Sequence, residues 1–109
     1  MQIHAWRKSI CLALMLSATP ANSQNIVAFI TGNDLNDFCM QSPIQVFGYL
    51  EGLVDGEVFE PQHYCLPEGV QIRQLKEVTC RFLQDHPESR QQPAPSLVRM
   101  SFRAAWPCP

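Results

Sequence analysis

Ser42-Pro43-Ile44-Gln45-Val46-Phe47-Gly48-Tyr49-Leu50-Glu51-Gly52-Leu53-Val54-Asp55-Gly56 carries the signals of a helix from start to stop. Ser42 offers a hydroxyl to the free amides of a first turn, Pro43 stands where a missing amide is harmless, and Gln45, three residues after the serine, completes a capping box. Ile44, Phe47, Leu50 or Glu51, and Val54 recur at three- and four-residue spacing and are expected to form the inner face of a helix from about Pro43 to Gly56. Gly48, Gly52 and Gly56 oppose this reading, since an interior glycine costs about 1 kcal/mol relative to alanine. Spaced by four, they share one side and make a flat strip beside Tyr49 and Leu53. Such a strip offsets its cost where another backbone comes close, and a neighbouring helix of the same chain is expected there ahead of a second subunit. A membrane-spanning helix is excluded by Glu51 and Asp55 in the same turns.

The same reasoning finds helices on either side. Upstream, Thr31-Gly32-Asn33-Asp34 predicts a capping box in which the Thr31 oxygen takes the Asp34 amide and the Asp34 carboxylate answers the Thr31 amide. Leu35 and Phe38 then point inward, and Cys39 ends this short helix. Downstream, Glu57 to Val70 reads as a loop with Pro61, Pro67 and Gly69, long enough for such a chain to be a functional surface. A third helix is expected from about Ile72 to Asp85, with Ile72, Leu75, Val78, Thr79, Phe82 and Leu83 inside and Cys80 at the margin. His86-Pro87 closes it, because proline disfavours helix at the residue before. After a polar connector from Glu88 to Pro95, Ser96 can cap a last helix. That helix offers Leu97, Val98, Phe102, Ala104 and Ala105 to the core, with Arg99 and Arg103 outside and the Trp106 indole buried at its end. The expected fold is therefore all-α, a compact bundle of about four helices.

The amino terminus is a different kind of segment. Arg7 and Lys8 precede an apolar run from Ser9 to Ala18, which breaks at Pro20 and small residues. This is the pattern of a secretory leader, too short for a bilayer-spanning helix of about 20 residues. Cleavage is expected after Ser23, with Ala21 the nearby alternative, leaving residues 24–109 as a single domain; a buried N-terminal helix is the competing reading. Export places the chain in an oxidising compartment, where Cys39, Cys65, Cys80 and Cys108 are expected to form two disulfides with three pairings open. If short connectors make the third and fourth helices antiparallel neighbours, Cys108 returns to Cys65 and leaves Cys39 for Cys80, a pairing that crosses no core.

Once Arg7 and Lys8 leave with the leader, six of the eight basic residues face all ten acidic ones, a net charge near −4. Nucleic acid is an unsuitable partner for that balance. From Gln24 to Ile72 there are seven acidic residues and no Lys or Arg. A connected surface built from that half would attract a basic partner, while a merely solvated acidic face would serve solubility. Chemistry of other kinds is poorly provided for. Cys65 with His63 or His86 has the residue types of a nucleophilic dyad, and His63, Cys65, Cys80 and His86 those of a zinc site, but oxidation removes the thiolate and the spacing lacks paired cysteines. The sequence thus gives no catalytic set, no metal site and no call for a cofactor, and a binding protein is expected over an enzyme.

Taken in order, Gly32-Asn33-Asp34-Leu35 with Cys39, the segment Gly48 to Gly56, Cys65-Leu66-Pro67 with Gly69-Val70, Gln74-Leu75, Phe82-Leu83, His86-Pro87-Glu88, Leu97-Val98 and Trp106-Pro107-Cys108 make a pattern. It resembles the Rap/Tai family of immunity proteins from type VI secretion systems, across nearly all of the mature chain. The resemblance implies a helical periplasmic protein, often dimeric, that binds and inhibits a peptidoglycan amidase delivered by neighbouring or sister cells. That family commonly carries another cysteine shortly before the Gly-Tyr pair, where Val46 stands here, and Cys80 lies outside its pattern, so the resemblance implies a rewired link from Cys39 to Cys80. With the acidic run, it makes Asp55, Glu57, Glu60, His63 and Glu68 the expected effector contacts, free enough that reversing the charge of Glu57 and Glu60 leaves folding intact. A small periplasmic acid-stress chaperone, or another envelope protein-binding module, is the competing class. Broad client binding on acidification would mark the former.

Overall fold

A computed structural model describes residues 28–57 and 63–109. The expected leader over residues 1–23 and the loop residue Glu60 lie outside the described residues. The described chain forms α1 (Gly32–Gln41), α2 (Pro43–Gly56), α3 (Ile72–Asp85) and α4 (Ala94–Ala105), with a single 3-10 turn at Pro87–Ser89. No helix among the described residues is long and apolar enough to cross a membrane.

Local chemistry accounts for most helix ends. The capping box of α1 forms as its sequence predicts: the Asp34 amide donates to Thr31 Oγ1 at 3.3 Å, and the Thr31 amide donates to Asp34 Oδ2 at 2.8 Å. Those bonds to the ionised form hold the Asp34 carboxyl below its ordinary range, the backbone bond contributing most. α1 runs past Cys39 to Gln41. At α2 the range is as expected but the box is absent: the Ser42 side chain caps nothing, and Pro43 alone starts the helix. At α3 the Gln71 amide donates to Gln74 Oε1 at 2.8 Å, and the Gln74 amide donates to the Gln71 carbonyl at 2.9 Å. α4 begins two residues before Ser96, with Pro93 at its cap position.

α3 is the hub, packing against α1, α2 and α4. Leu75, Thr79 and Leu83 form its buried stripe, while Ile72, Val78 and Phe82 pack at the core's edge. From α2 come Val46 and Leu50, both wholly buried; of the expected inner residues Leu50 is in the core and Val54 packs against it, but Ile44 is 79% exposed and Val46 takes its place. The inner face of α2 is centred on Val46 and Leu50, one stripe round from the apolar repeat that begins at Ile44. α4 contributes Leu97, Val98 and Phe102, whereas Ala104 and Ala105 are exposed. The Trp106 indole is only half-buried, its ring 5.9 Å from that of Phe102.

The connector before α4 is more ordered than its polar composition suggests. Gly32 donates its amide to Gln92 O at 2.9 Å, Asn33 to Arg90 O at 2.8 Å, and Ala94 to Ile30 O at 3.0 Å, so a short antiparallel bridge joins Thr31 to Pro93. Gly32 is buried in this junction: a Cβ there would sit 2.9 Å from the Arg90 carbonyl oxygen and closer still to Leu97 Cδ1. Gly32→Ala should therefore lower stability by about 1–3 kcal/mol, because backbone must yield as well as side chain. Urea unfolding measures it, and an unchanged midpoint would show that α1 slides freely.

Both disulfides pair as the helix order suggests. Cys39 joins Cys80 with Cα atoms 5.8 Å apart, tying α1 to α3, and Cys65 joins Cys108 at 5.0 Å, tying the approach to α3 to the end of α4. The Cys65 amide also donates to Trp106 O at 2.9 Å, so the second staple has a backbone bond beside it.

Candidate functional site

The end of α2 brings together three residues far apart in sequence. Glu57 follows the helix at its C-cap, on the same side of α2 as Val46 and Leu50, and is buried with them. Its carboxylate accepts from the Tyr64 hydroxyl at 2.5 Å and pairs with Arg99 Nε from α4. Tyr64 is itself 2% exposed, edge-on to Phe102 at 5.2 Å. Burial first, and then the Glu57 bond, push its phenol far above the usual range, so it stays a proton donor. This network corrects the expectation that Glu57 projects toward a partner: the side chain is committed to holding α2, α4 and the approach to Cys65 together. Arg99, expected outside, is the cation that makes that burial affordable. The missed signal was periodic, since Glu57 lies seven residues beyond Leu50 and falls on its stripe.

The outward side of α2 is open. Ile44, Gly48, Glu51, Gly52, Asp55 and Gly56 are all exposed, and helical periodicity places them on one arc opposite Val46 and Leu50. Apart from the chain neighbours and the backbone of α2 itself, no atom of the described residues lies within 4 Å of the point where a Cβ would stand at Gly48, Gly52 or Gly56. The expected close packing of these glycines against a neighbouring helix of the chain is therefore absent among the described residues. Among the described residues, no close contact at these glycines offsets the backbone cost of the strip. On one flank, Ala28, Phe29, Ile30, Tyr49, Leu53 and Pro95 complete an apolar groove of about 500 Å³ with Gly48 and Gly52. Phe29 is 98% exposed at its edge. On the other flank, Lys76 stands 5.5 Å from the centre of the Phe47 ring.

Of the remaining expected contacts, Asp55, His63 and Glu68 are exposed. Asp55 belongs to α2, whereas His63 and Glu68 flank the Cys65 anchor on the far side of residues 58–62. The dyad and zinc readings are ruled out for Cys65 and Cys80, whose sulfurs are held in disulfides. The His86 amide donates to Phe82 O at the end of α3, while the His86 ring lies against Phe82 at 4.4 Å and meets Glu88 Oε1 through Nδ1 at 2.9 Å. That bond holds the Glu88 carboxyl below its ordinary range.

Residues 31–108 match a protein family described as Rap1a immunity proteins. No curated protein and no solved structure matches the chain.

Proposed function

The chain belongs to the Rap1a immunity protein family, and from that premise we propose that it is a periplasmic protein that binds and inhibits a peptidoglycan amidase delivered by a type VI secretion system. The family match carries this reading, because it takes in all four helices and both disulfides. The surface supports it by what it offers a partner: Glu51, Asp55 and Glu68 are exposed on the stretch from Gln24 to Ile72, which has no Lys or Arg, and they would draw a basic effector. In this reading the chain acts as a stoichiometric inhibitor and performs no chemistry of its own. Its disulfides suit an oxidising compartment, which the expected leader over residues 1–23 would reach.

Survival of cells tests the proposal. An amidase encoded beside this chain's gene, sent to the periplasm by its own leader, should lyse cells that lack the protein and spare those that export it. The same protein without residues 1–23 should give no protection. Lysis in the presence of well-expressed, exported protein would refute the reading.

A further inference from the structure

We propose that the groove between residues 28–30 and α2 is a docking surface for an apolar side chain carried on a cationic segment of the amidase, an inference that rests on the function proposed above. Three observations converge on it. The groove is lined by Tyr49, Leu53, Pro95 and Phe29 over a floor of Gly48 and Gly52, and its volume of about 500 Å³ takes a large side chain with room for its backbone. Phe29 at its rim is 98% exposed and Ile44, one turn before Gly48 on α2, is 79% exposed, so apolar surface continues beyond the groove itself. The glycines let a partner's backbone approach α2 without displacing anything described in this chain.

Charge selects the occupant. Glu51 and Asp55 stand on the same outward arc as the glycines and are exposed. Two cations of the helices beside α2 are engaged elsewhere: Lys76 sits over Phe47 on the opposite flank, and Arg99 pairs with Glu57. A second copy of the chain placed face to face on this arc would set those carboxylates against their like. A segment with Lys or Arg beside an apolar anchor would instead satisfy both the groove and its rim.

Two variants test this against the purified amidase encoded beside this chain's gene, made catalytically inactive. Gly52→Leu fills the groove where nothing stands in its way and raises helix propensity, so the fold should melt no lower than wild type. Its affinity for the amidase should fall by about 100-fold or more, as expected when a central anchor loses its pocket. Glu51→Lys with Asp55→Lys should slow association about tenfold at low salt, an effect that shrinks at high salt. Wild-type affinity in Gly52→Leu overturns the groove while leaving the amidase reading intact. A smaller mass in solution for Gly52→Leu, with amidase affinity kept, would assign the groove to a second copy and also overturn the proposal. If the wild-type chain does not bind the amidase, the functional reading fails and the groove's assigned occupant fails with it.

Discussion

Reduction should unfold this protein. Cys39–Cys80 and Cys65–Cys108 close spans of 41 and 43 residues. Loop-closure entropy for spans of that size corresponds to about 4 kcal/mol each, and native disulfides in small exported domains contribute about 2–5 kcal/mol. A domain of this length has only about 5–12 kcal/mol in total, so losing both removes most of its stability. The small core makes the dependence sharper: among the described residues, ten buried apolar ones from four helices and the Tyr64 segment share one cluster. Removing the Cys65–Cys108 pair as a Ser/Ser variant should lower unfolding free energy by about 2–4 kcal/mol, and treatment with dithiothreitol should abolish the cooperative transition at 37 °C. Urea unfolding followed by circular dichroism measures both. A cooperative transition at an unshifted midpoint in reductant would show that the helices hold without their staples.

Glu57→Lys should cost about 3 kcal/mol, the low end of the loss expected on breaking a buried ion pair. Removing the acid strands two groups. The Tyr64 hydroxyl loses its acceptor in a site that is 2% exposed, and Arg99 loses its partner and gains an ammonium beside it. The figure is kept low because the Arg99 side chain is 37% exposed and water screens part of its charge. Glu57→Gln, which retains an acceptor, should cost about 1–2 kcal/mol. Thermal melts of the two variants give the ordering directly. Equal melting temperatures for Glu57→Lys and wild type would mean that Glu57 stands free as a partner contact after all. The expectation that charge reversal at this position leaves folding intact is the part of the sequence reading most changed by the structure.

That change shows where sequence alone stops. Helix limits were legible wherever local chemistry sets them: Thr31 and Asp34 at α1, Pro43 at α2, and the apolar stripe closed by Pro87 at α3. The disulfide pairing followed from helix order, because consecutive helices of a small bundle pack beside one another. The rotation of α2 about its own axis was harder. Apolar residues occur almost all round that helix, so periodicity did not distinguish the Ile44 side from the Val46 side, and tertiary packing with α1 and α3 decided it. The same ambiguity hid the exposure of the glycine strip. Arg99 looked like a solvated cation on an amphipathic helix, and nothing local to α4 points to a carboxylate 42 residues earlier. Gly32 was read only as part of a cap, because its tight approach to Arg90 and Leu97 depends on where the connector runs.

Inhibition measured in solution is the sharpest check on the proposal that this chain is an amidase inhibitor. Oxidised, mature chain is titrated into the purified, active amidase encoded beside its gene, and release of cross-linked peptides from peptidoglycan is followed. Activity should fall in proportion to added chain and be extinguished near one chain per enzyme. Full amidase activity in the presence of a large excess of folded, oxidised chain would contradict it.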